Sequence, residues 1–361
     1  MPTPFRIASF NVENLFSRAR VLNLADHERA EEILQDIGKL KGLLGKSTYS
    51  AANKTAIRTL VNDLRLYITI REDREGLFAR NGSVTANGAG DWDGVIEFKR
   101  AEVKELARAA TADVLKALKA DVVCVVEAEN RLILQQFNSQ AMDSKKFPRI
   151  LVVDGNDERG IDVGIYTKLE FGNINTHIYD KDAEGEIFSR DCLEVELLNL
   201  PNGKPLHILC NHLKSKSTAF GADPAESDAK RKRQATQIAE ILGKYDLTKD
   251  YVCVAGDMND TPDSEPMSPL LAVPGLFDVL QLQFGADNEK RWTYRFKDTN
   301  NQIDYILVSR PLRDAFVKAG VERRGIWDIE NIVSGVTPFA SVTARVNAAS
   351  DHGGVWAEFS L

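Results

Sequence analysis

Acids, carboxamides and imidazoles stand at the ends of several apolar runs in this sequence, where strand termini would gather them. Phe10-Asn11-Val12-Glu13-Asn14 closes the first run, and Val122–Val126 leads straight into Glu127. Tyr251–Ala255 ends in Gly256-Asp257-Met258-Asn259-Asp260, and Ser350-Asp351-His352-Gly353-Gly354 precedes the last run. Taken singly, such polar groups are ordinary turn formers. If the runs share a sheet, however, their ends converge at one rim, where carboxylates repel one another unless something positive sits among them. A hard cation with oxygen ligands and open water positions answers that need, and magnesium or manganese fits. Zinc would need histidine or cysteine ligands at spacings the chain lacks.

The elements that must carry these groups are legible as patterns. Phe5–Val12, Asp121–Val126, Asp162–Tyr166, Cys192–Leu198, Pro205–Cys210, Tyr251–Ala255 and Ile303–Val308 read as strands. Val103, Leu106, Ala107, Ala110, Val114 and Leu118 form one helical stripe; Ile238, Ala239 and Leu242 mark another, on a helix beginning near Lys230. Strands mixed with helices suggest an α/β sandwich with packed mixed sheets. A single domain is expected, interrupted at about 17–100. There Ala30, Ile33, Leu34, Ile37, Leu40 and Leu44 form one helical face, and Ile57, Leu60, Val61, Leu64 and Ile68 a second. With the Gly- and Asn-rich stretch from Asn81 to Gly94, containing Trp92, as a mobile flap, the insertion is expected to be a helical hairpin serving as a structural cap or a substrate-selecting lid.

The 361 residues can bury a large core, and 43% hydrophobic with 27% charged residues is a globular profile. No apolar run is long enough for a membrane helix, and the strand pattern beginning at once leaves no secretory leader, so a cytoplasmic protein is expected. Cys124, Cys192, Cys210 and Cys253 lie in apolar runs and read as buried free thiols. A net charge of −7 counts against a passive nucleic-acid binder more than against an enzyme that gathers acids around a cation. The basic groups Lys214, Lys216 and Lys230-Arg231-Lys232-Arg233 read first as solvated faces, with contact to a phosphate backbone as the alternative. His27, His177 and His207 belong to no motif. Trp292 and Tyr294 are candidates for stacking on a base or sugar, or for core packing.

The motifs Asn11-Val12-Glu13, Val126-Glu127, Asn211-His212-Leu213, Gly256-Asp257-Met258-Asn259, Ile303-Asp304-Tyr305 and Ser350-Asp351-His352 occur in the order seen in one known group. In them the chain resembles the endonuclease/exonuclease/phosphatase superfamily, which includes pancreatic-type deoxyribonuclease, abasic-site endonucleases, inositol polyphosphate 5-phosphatases and bacterial sphingomyelinases. The resemblance spans nearly the whole chain apart from the insertion. It implies a deoxyribonuclease-like four-layer α/β sandwich of two packed mixed β-sheets, with the site at one edge.

Carried over residue by residue, the resemblance implies Glu127 as central ligand of Mg²⁺ or Mn²⁺, with Asn11 and Glu13 beside it and Asp351 completing the shell. Abasic-site endonucleases carry Asp where this chain has Glu13. Asp257 would orient or deprotonate the attacking water, and Asn259 would donate to a phosphate oxygen. His352 and Asp304 resemble the family's His–Asp pair, acting as base or as phosphate clamp. His212 resembles the second histidine of the deoxyribonuclease branch, with Asp162 as its carboxylate partner, and Arg190 matches a phosphate-facing arginine there. Arg159-Gly160-Ile161-Asp162 lacks the tyrosine of the abasic-site branch. The expected activity is metal-dependent cleavage of nucleic-acid phosphodiesters, DNA or RNA. The alternatives are a phosphatase or phospholipase on a small or lipid phosphoester, and an inactive binding protein of the same fold.

Overall fold

In the computed structural model, alternation along the first apolar run becomes a strand, β1 (Pro4–Leu15), that lies at the heart of one sheet. Residues 3–15, 20–23, 27–72, 76–79, 81–99, 106–157, 160–216, 223–296 and 298–361 are described. The chain divides into two compact units, Ser17–Glu102 and the remainder.

The larger unit holds two six-stranded sheets. Besides a short hairpin of Lys181–Asp182 with Gly185–Glu186, its strands are β1, β2 (Val122–Ala128), β3 (Arg149–Val153), β4 (Asp162–Thr167), β5 (Glu170–Asn175), β6 (Cys192–Leu198) and β7 (Leu206–His212). They continue with β8 (Tyr251–Asp257), β9 (Leu276–Asp278), β10 (Tyr294–Phe296), β11 (Thr299–Asn301), β12 (Asp304–Ser309), β13 (Phe316–Glu322) and β14 (Gly354–Ser360). One sheet runs β13-β14-β1-β2-β4-β3 and the other β9-β12-β8-β7-β6-β5. Both are mixed: β1 pairs with β2, and β7 with β8, in parallel, while the remaining neighbours are antiparallel.

Period-two patterning explains the stacking, because each strand has one face for the other sheet and one for a helix. Ile7, Cys124 and Ile165 of the first sheet meet Val195, Ile208 and Ile306 of the second in the central core. On the first sheet's outer face, Phe10 and Val125 pack with Val114 and Leu118 of helix α1 (Leu106–Leu118) and Phe137 of α2 (Arg131–Ala141). On the second's, Leu209 and Val254 pack with Ile238 and Leu242 of α3 (Pro224–Leu242). The result is the four-layer α/β sandwich of two mixed sheets. Helix α3 starts six residues before Lys230, since Asp223 caps it by accepting from the Ala225 amide at 2.9 Å and Pro224 suits its first turn. Val103 of the first helical stripe lies outside the described residues. All four cysteines are buried and free. At the far end of β1, Thr3 and Leu361 exchange two backbone hydrogen bonds of 2.7 and 3.0 Å.

The smaller unit has its own core of Ile33, Ile37, Leu40, Leu44, Ile57 and Leu64, between helices His27–Leu44 and Ala51–Asp63. The second helix stops at Asp63, short of the expected Ile68. Ile68–Glu72 instead pairs as a strand with Gly94–Phe98, where Ile70 opposite Ile96 satisfies β propensity. Trp92, expected on a mobile flap, packs on this core and donates its indole N–H to the Tyr49 hydroxyl at 3.0 Å. Among the described residues no helix is long and apolar enough to cross a membrane.

Candidate active site

Parallel pairing sends β1, β2, β7 and β8 out at the same rim of their sheets, and antiparallel β12 and β14 begin there. Asn11 and Glu13 therefore leave β1 beside Glu127 of β2, the strands being registered Asn11 against Val126. On the second sheet His212 lies opposite Asp257, and Asp257 opposite Asp304. Asn11 joins the sheets, its Nδ2 donating to Asp257 Oδ2 at 3.1 Å.

Backbone strain marks the same rim. Glu13, Glu127 and Asn259 adopt φ values of +48°, +67° and +55°, a region that costs a non-glycine residue about 1 kcal/mol or more. Gly256 has φ +142°, and a Cβ there would come within 1.9 Å of the Asn211 carbonyl oxygen. Only glycine lets β8 lie this close to β7 just before Asp257.

Asp257, almost fully buried, is the centre of the arrangement. Its Oδ1 accepts from the Asn259 amide at 2.8 Å, and its Oδ2 lies 3.8 Å from His212 Nε2 and 3.9 Å from His352 Nε2. Burial, then the charge of Asp304, pushes its pKa up to about 7. His352 Nδ1 meets Asp304 Oδ2 at 2.8 Å. Burial works against its imidazolium, but the charges of Asp304 and Asp257 prevail and hold its pKa well above the usual histidine range. The Asp304 backbone is fixed by Thr293, whose hydroxyl accepts from the Ile303 and Asp304 amides at 3.1 and 3.0 Å. The Thr293 carbonyl accepts from Gly353 at 2.7 Å, and the Tyr294 ring lies 4.9 Å from that of His352.

Three acids line the open side of the cleft: Glu13, Glu127 and Asp351. Glu13 Oε2 accepts from the Asp351 amide at 3.1 Å, and Glu127 Oε1 lies 3.8 Å from His212 Nε2. Burial and the neighbouring Asp351 charge push the Glu13 pKa up to about 7. Two acids held near neutrality, with Asp304 Oδ1 buried and lacking a hydrogen-bond partner, leave the cleft short of positive charge. Oxygen donors in that state fit a hard divalent cation. Asp257, Asp304 and His352 also have ligand atoms within 4.8 Å of one another, but His352 and Asp304 already bond to each other there.

Of the residues singled out from sequence, Glu13, Glu127, His212, Asp257, Asn259, Asp351 and His352 line the cleft, with Asn11 and Asp304 bonded behind them. One other is placed differently. Arg190 is buried, with Nη1 on Asp157 at 3.0 Å and Nη2 on the Leu213 carbonyl, so the chain's own acceptors take donors expected to face phosphate. Asn259 Nδ2 donates to that same carbonyl at 3.0 Å, which links Arg190 to the cleft indirectly. Asp162, the expected partner of His212, has its Oδ1 on the Gly155 amide at 2.8 Å. Burial, then Asp154 and Asp157, pushes its pKa up to about 7. Arg159 lies outside the described residues.

Of the basic run on α3 only Arg231 is buried, on Asp260; the exposed Lys232 pairs with Glu265, and the half-buried Arg233 with Asp182. His177, without a motif, bridges Asp180 and Glu194 at 2.8 Å each. His207 packs its ring on Tyr245, and the His27 side chain lies outside the described residues. Trp292 is core, under the Arg323 guanidinium. Thr293 behind the cleft was missed, and Lys216 was named only within a basic group read first as a solvated face. A lone threonine before a short hairpin carries no sequence signal, and for Lys216 the only signal was its place just after His212.

Residues 86–352 match the model of the family described as Endonuclease/Exonuclease/phosphatase family. Among solved structures, the chain is similar to an endonuclease/exonuclease/phosphatase family protein from Bacteroides thetaiotaomicron, at 14% identity over 100% of both chains with a TM-score of 0.52. It is also similar to truncated TDP2 from Caenorhabditis elegans, at 18% identity over 71% of this chain and 91% of that one, TM-score 0.49. A third similar structure is beta toxin from Staphylococcus aureus, at 18% identity over 70% of this chain and 92% of that one, TM-score 0.49. No curated protein matches the sequence. At these identities the likeness to solved structures is one of fold.

Proposed function

The chain belongs to the endonuclease/exonuclease/phosphatase family, and from that premise we propose that it is a phosphodiesterase acting on nucleic acid with Mg²⁺ or Mn²⁺. The observation that carries the reading is Asp257 standing 3.8 and 3.9 Å from two imidazoles while Asn11 ties it to the opposite sheet. Glu127, Glu13 and Asp351, with Asn11 beside them, would hold the cation. When bound, it would neutralise charge developing on the phosphoryl oxygens.

The chain's own groups supply the rest. Asp257 accepts a proton from the attacking water, fixed for that task by the Asn259 amide and Asn11 Nδ2. Water oxygen bonds to phosphorus as the bond to the ester leaving oxygen breaks in line. His352, kept cationic by Asp304, donates to a non-bridging oxygen, and the Asn259 carboxamide donates beside it. His212 hands a proton to the departing oxygen. Arg190 acts as a positioning residue, holding Leu213 where Asn259 also bonds. Phe296 and Tyr294 line the cleft, and Phe296 is 57% exposed, so flat rings stand where a base or sugar could rest.

Plasmid DNA, RNA, bis-p-nitrophenyl phosphate and an inositol phosphate, each with and without Mg²⁺ or Mn²⁺, test the reading. Cation-dependent nicking of plasmid or cutting of RNA is expected. Release of phosphate from the monoester alone would make this a phosphatase, and silence on every substrate would make it a binding protein.

A further inference from the structure

We propose that Lys216 selects substrates that carry a further phosphate beside the scissile one, a proposal that rests on the phosphodiesterase reading above. Lys216 is the only lysine or arginine among the described residues lining the cleft, which it shares with Glu13, Glu127, Asp257 and Asp351. An anionic chain entering so acidic a mouth meets attraction away from the reacting centre chiefly at this ammonium.

Lys216 is built to move. Its side chain is 56% exposed, and Nζ rests on Asp260 Oδ1. Asp260 does not depend on it. The fully buried Arg231 donates Nε to Oδ2 at 2.9 Å, and the Thr261 amide donates to Oδ1 at 2.9 Å. When Lys216 leaves, that buried carboxylate keeps a charged partner and a backbone donor. Because the Lys216 end of the pair already stands in solvent and Asp260 keeps its other donors, phosphate can replace the carboxylate as the ammonium's partner.

The root of the lysine is fixed while its tip is not. Two residues earlier, the Lys214 amide donates to Gln234 Oε1 at 2.8 Å and its carbonyl accepts from Arg231 Nη1 at 2.9 Å. Arg231 thus anchors both the loop that bears Lys216 and the carboxylate on which it rests. Asp260 directly follows Asn259, so the ammonium waits one residue from the amide that faces the scissile phosphate. The neighbouring cations Lys232 and Arg233 are held by Glu265 and Asp182.

The test compares kcat/KM for the internal bond of the thymidine dinucleotide with terminal phosphates, pTpTp, against the same dinucleotide without them, TpT. Wild type is expected to prefer pTpTp. Lys216→Gln should lower that preference about tenfold to a hundredfold, the worth of one charged hydrogen bond, and Lys216→Arg should keep it. The preference should weaken with added salt in wild type and less so in Lys216→Gln. Melting temperatures equal to wild type's in both variants would tie the loss to charge and not to folding. A preference untouched by Lys216→Gln, or absent from wild type, overturns the role of Lys216 alone. Wild-type silence on both dinucleotides and on bis-p-nitrophenyl phosphate overturns the phosphodiesterase reading and the role of Lys216 with it.

Discussion

At the scale of the residue, the site separates groups that do chemistry from groups that hold them. Asp257→Asn, His352→Ala and Glu127→Gln are each expected to lower kcat by about 10²–10⁴ while circular dichroism stays native, because the surrounding core is apolar and untouched. The strained conformations give an independent check. Glu127→Gly removes an acid placed to hold the cation but also relieves φ +67°, so the variant should be inactive yet melt higher than Glu127→Gln. Equal losses of stability in both would show that no strain is stored there. The reacting acids were legible in the sequence because each closes an apolar run, as Glu127 closes Val122–Val126. Arg190 was legible as a residue but not as geometry: Leu213, which holds it, lies on another strand's end and is distant in sequence.

At the scale of the element, register carries the site. Gly256→Ala would press a methyl group into the Asn211 carbonyl, parting β8 from β7 where Asp257 faces His212. It is expected to cost about 2–4 kcal/mol and to abolish turnover, read by thermal melts and hydrolysis of bis-p-nitrophenyl phosphate. The segment between β5 and β6 is secured by ions instead. Glu194 on β6 is drawn from 4.5 to about 2 by its hydrogen bond to His177, whose own pKa is raised: burial opposes that rise, but the bonds to Glu194 and Asp180 outweigh it. A depressed carboxylate stabilises the fold above its unfolded pKa and loses that contribution as pH falls through the folded value. A raised imidazole stabilises below 6.5 and loses its contribution as pH rises through its folded value. Both contributions are therefore present between about pH 4.5 and 6.5. Glu194→Gln should lower the melting temperature most in that window, and the difference from wild type should shrink toward pH 2. A difference constant from pH 2 to 6 would refute the pair's role. Sequence patterning could not show this bridge, since His177 stands in no motif and meets Glu194 only once the strands pair. The strands Ile68–Glu72 and Gly94–Phe98 were missed for a related reason: each is short, and its pairing partner supplies most of what makes it a strand.

At the scale of the whole molecule, two cores share no residue. The central and flanking clusters of the larger unit contain nothing from 20–99, and the cluster of Ile33, Leu40 and Ile57 contains nothing outside it. Calorimetry is expected to resolve two transitions, the smaller belonging to residues 17–102; a single two-state transition would contradict independent cores. The fold class was readable because alternating strands and helical stripes leave few ways to cover both faces of two sheets. The backbone bridge between Thr3 and Leu361 has a practical corollary. Strand β1 delivers its acids at one pole of the sandwich, so its start, together with the last residue of β14, sits at the opposite pole. A fluorescent reporter or surface tether attached to either terminus would leave the catalytic mouth facing outward. Stitching the termini together and reopening the chain at a turn should give a permutant whose cleft is built from the same strands.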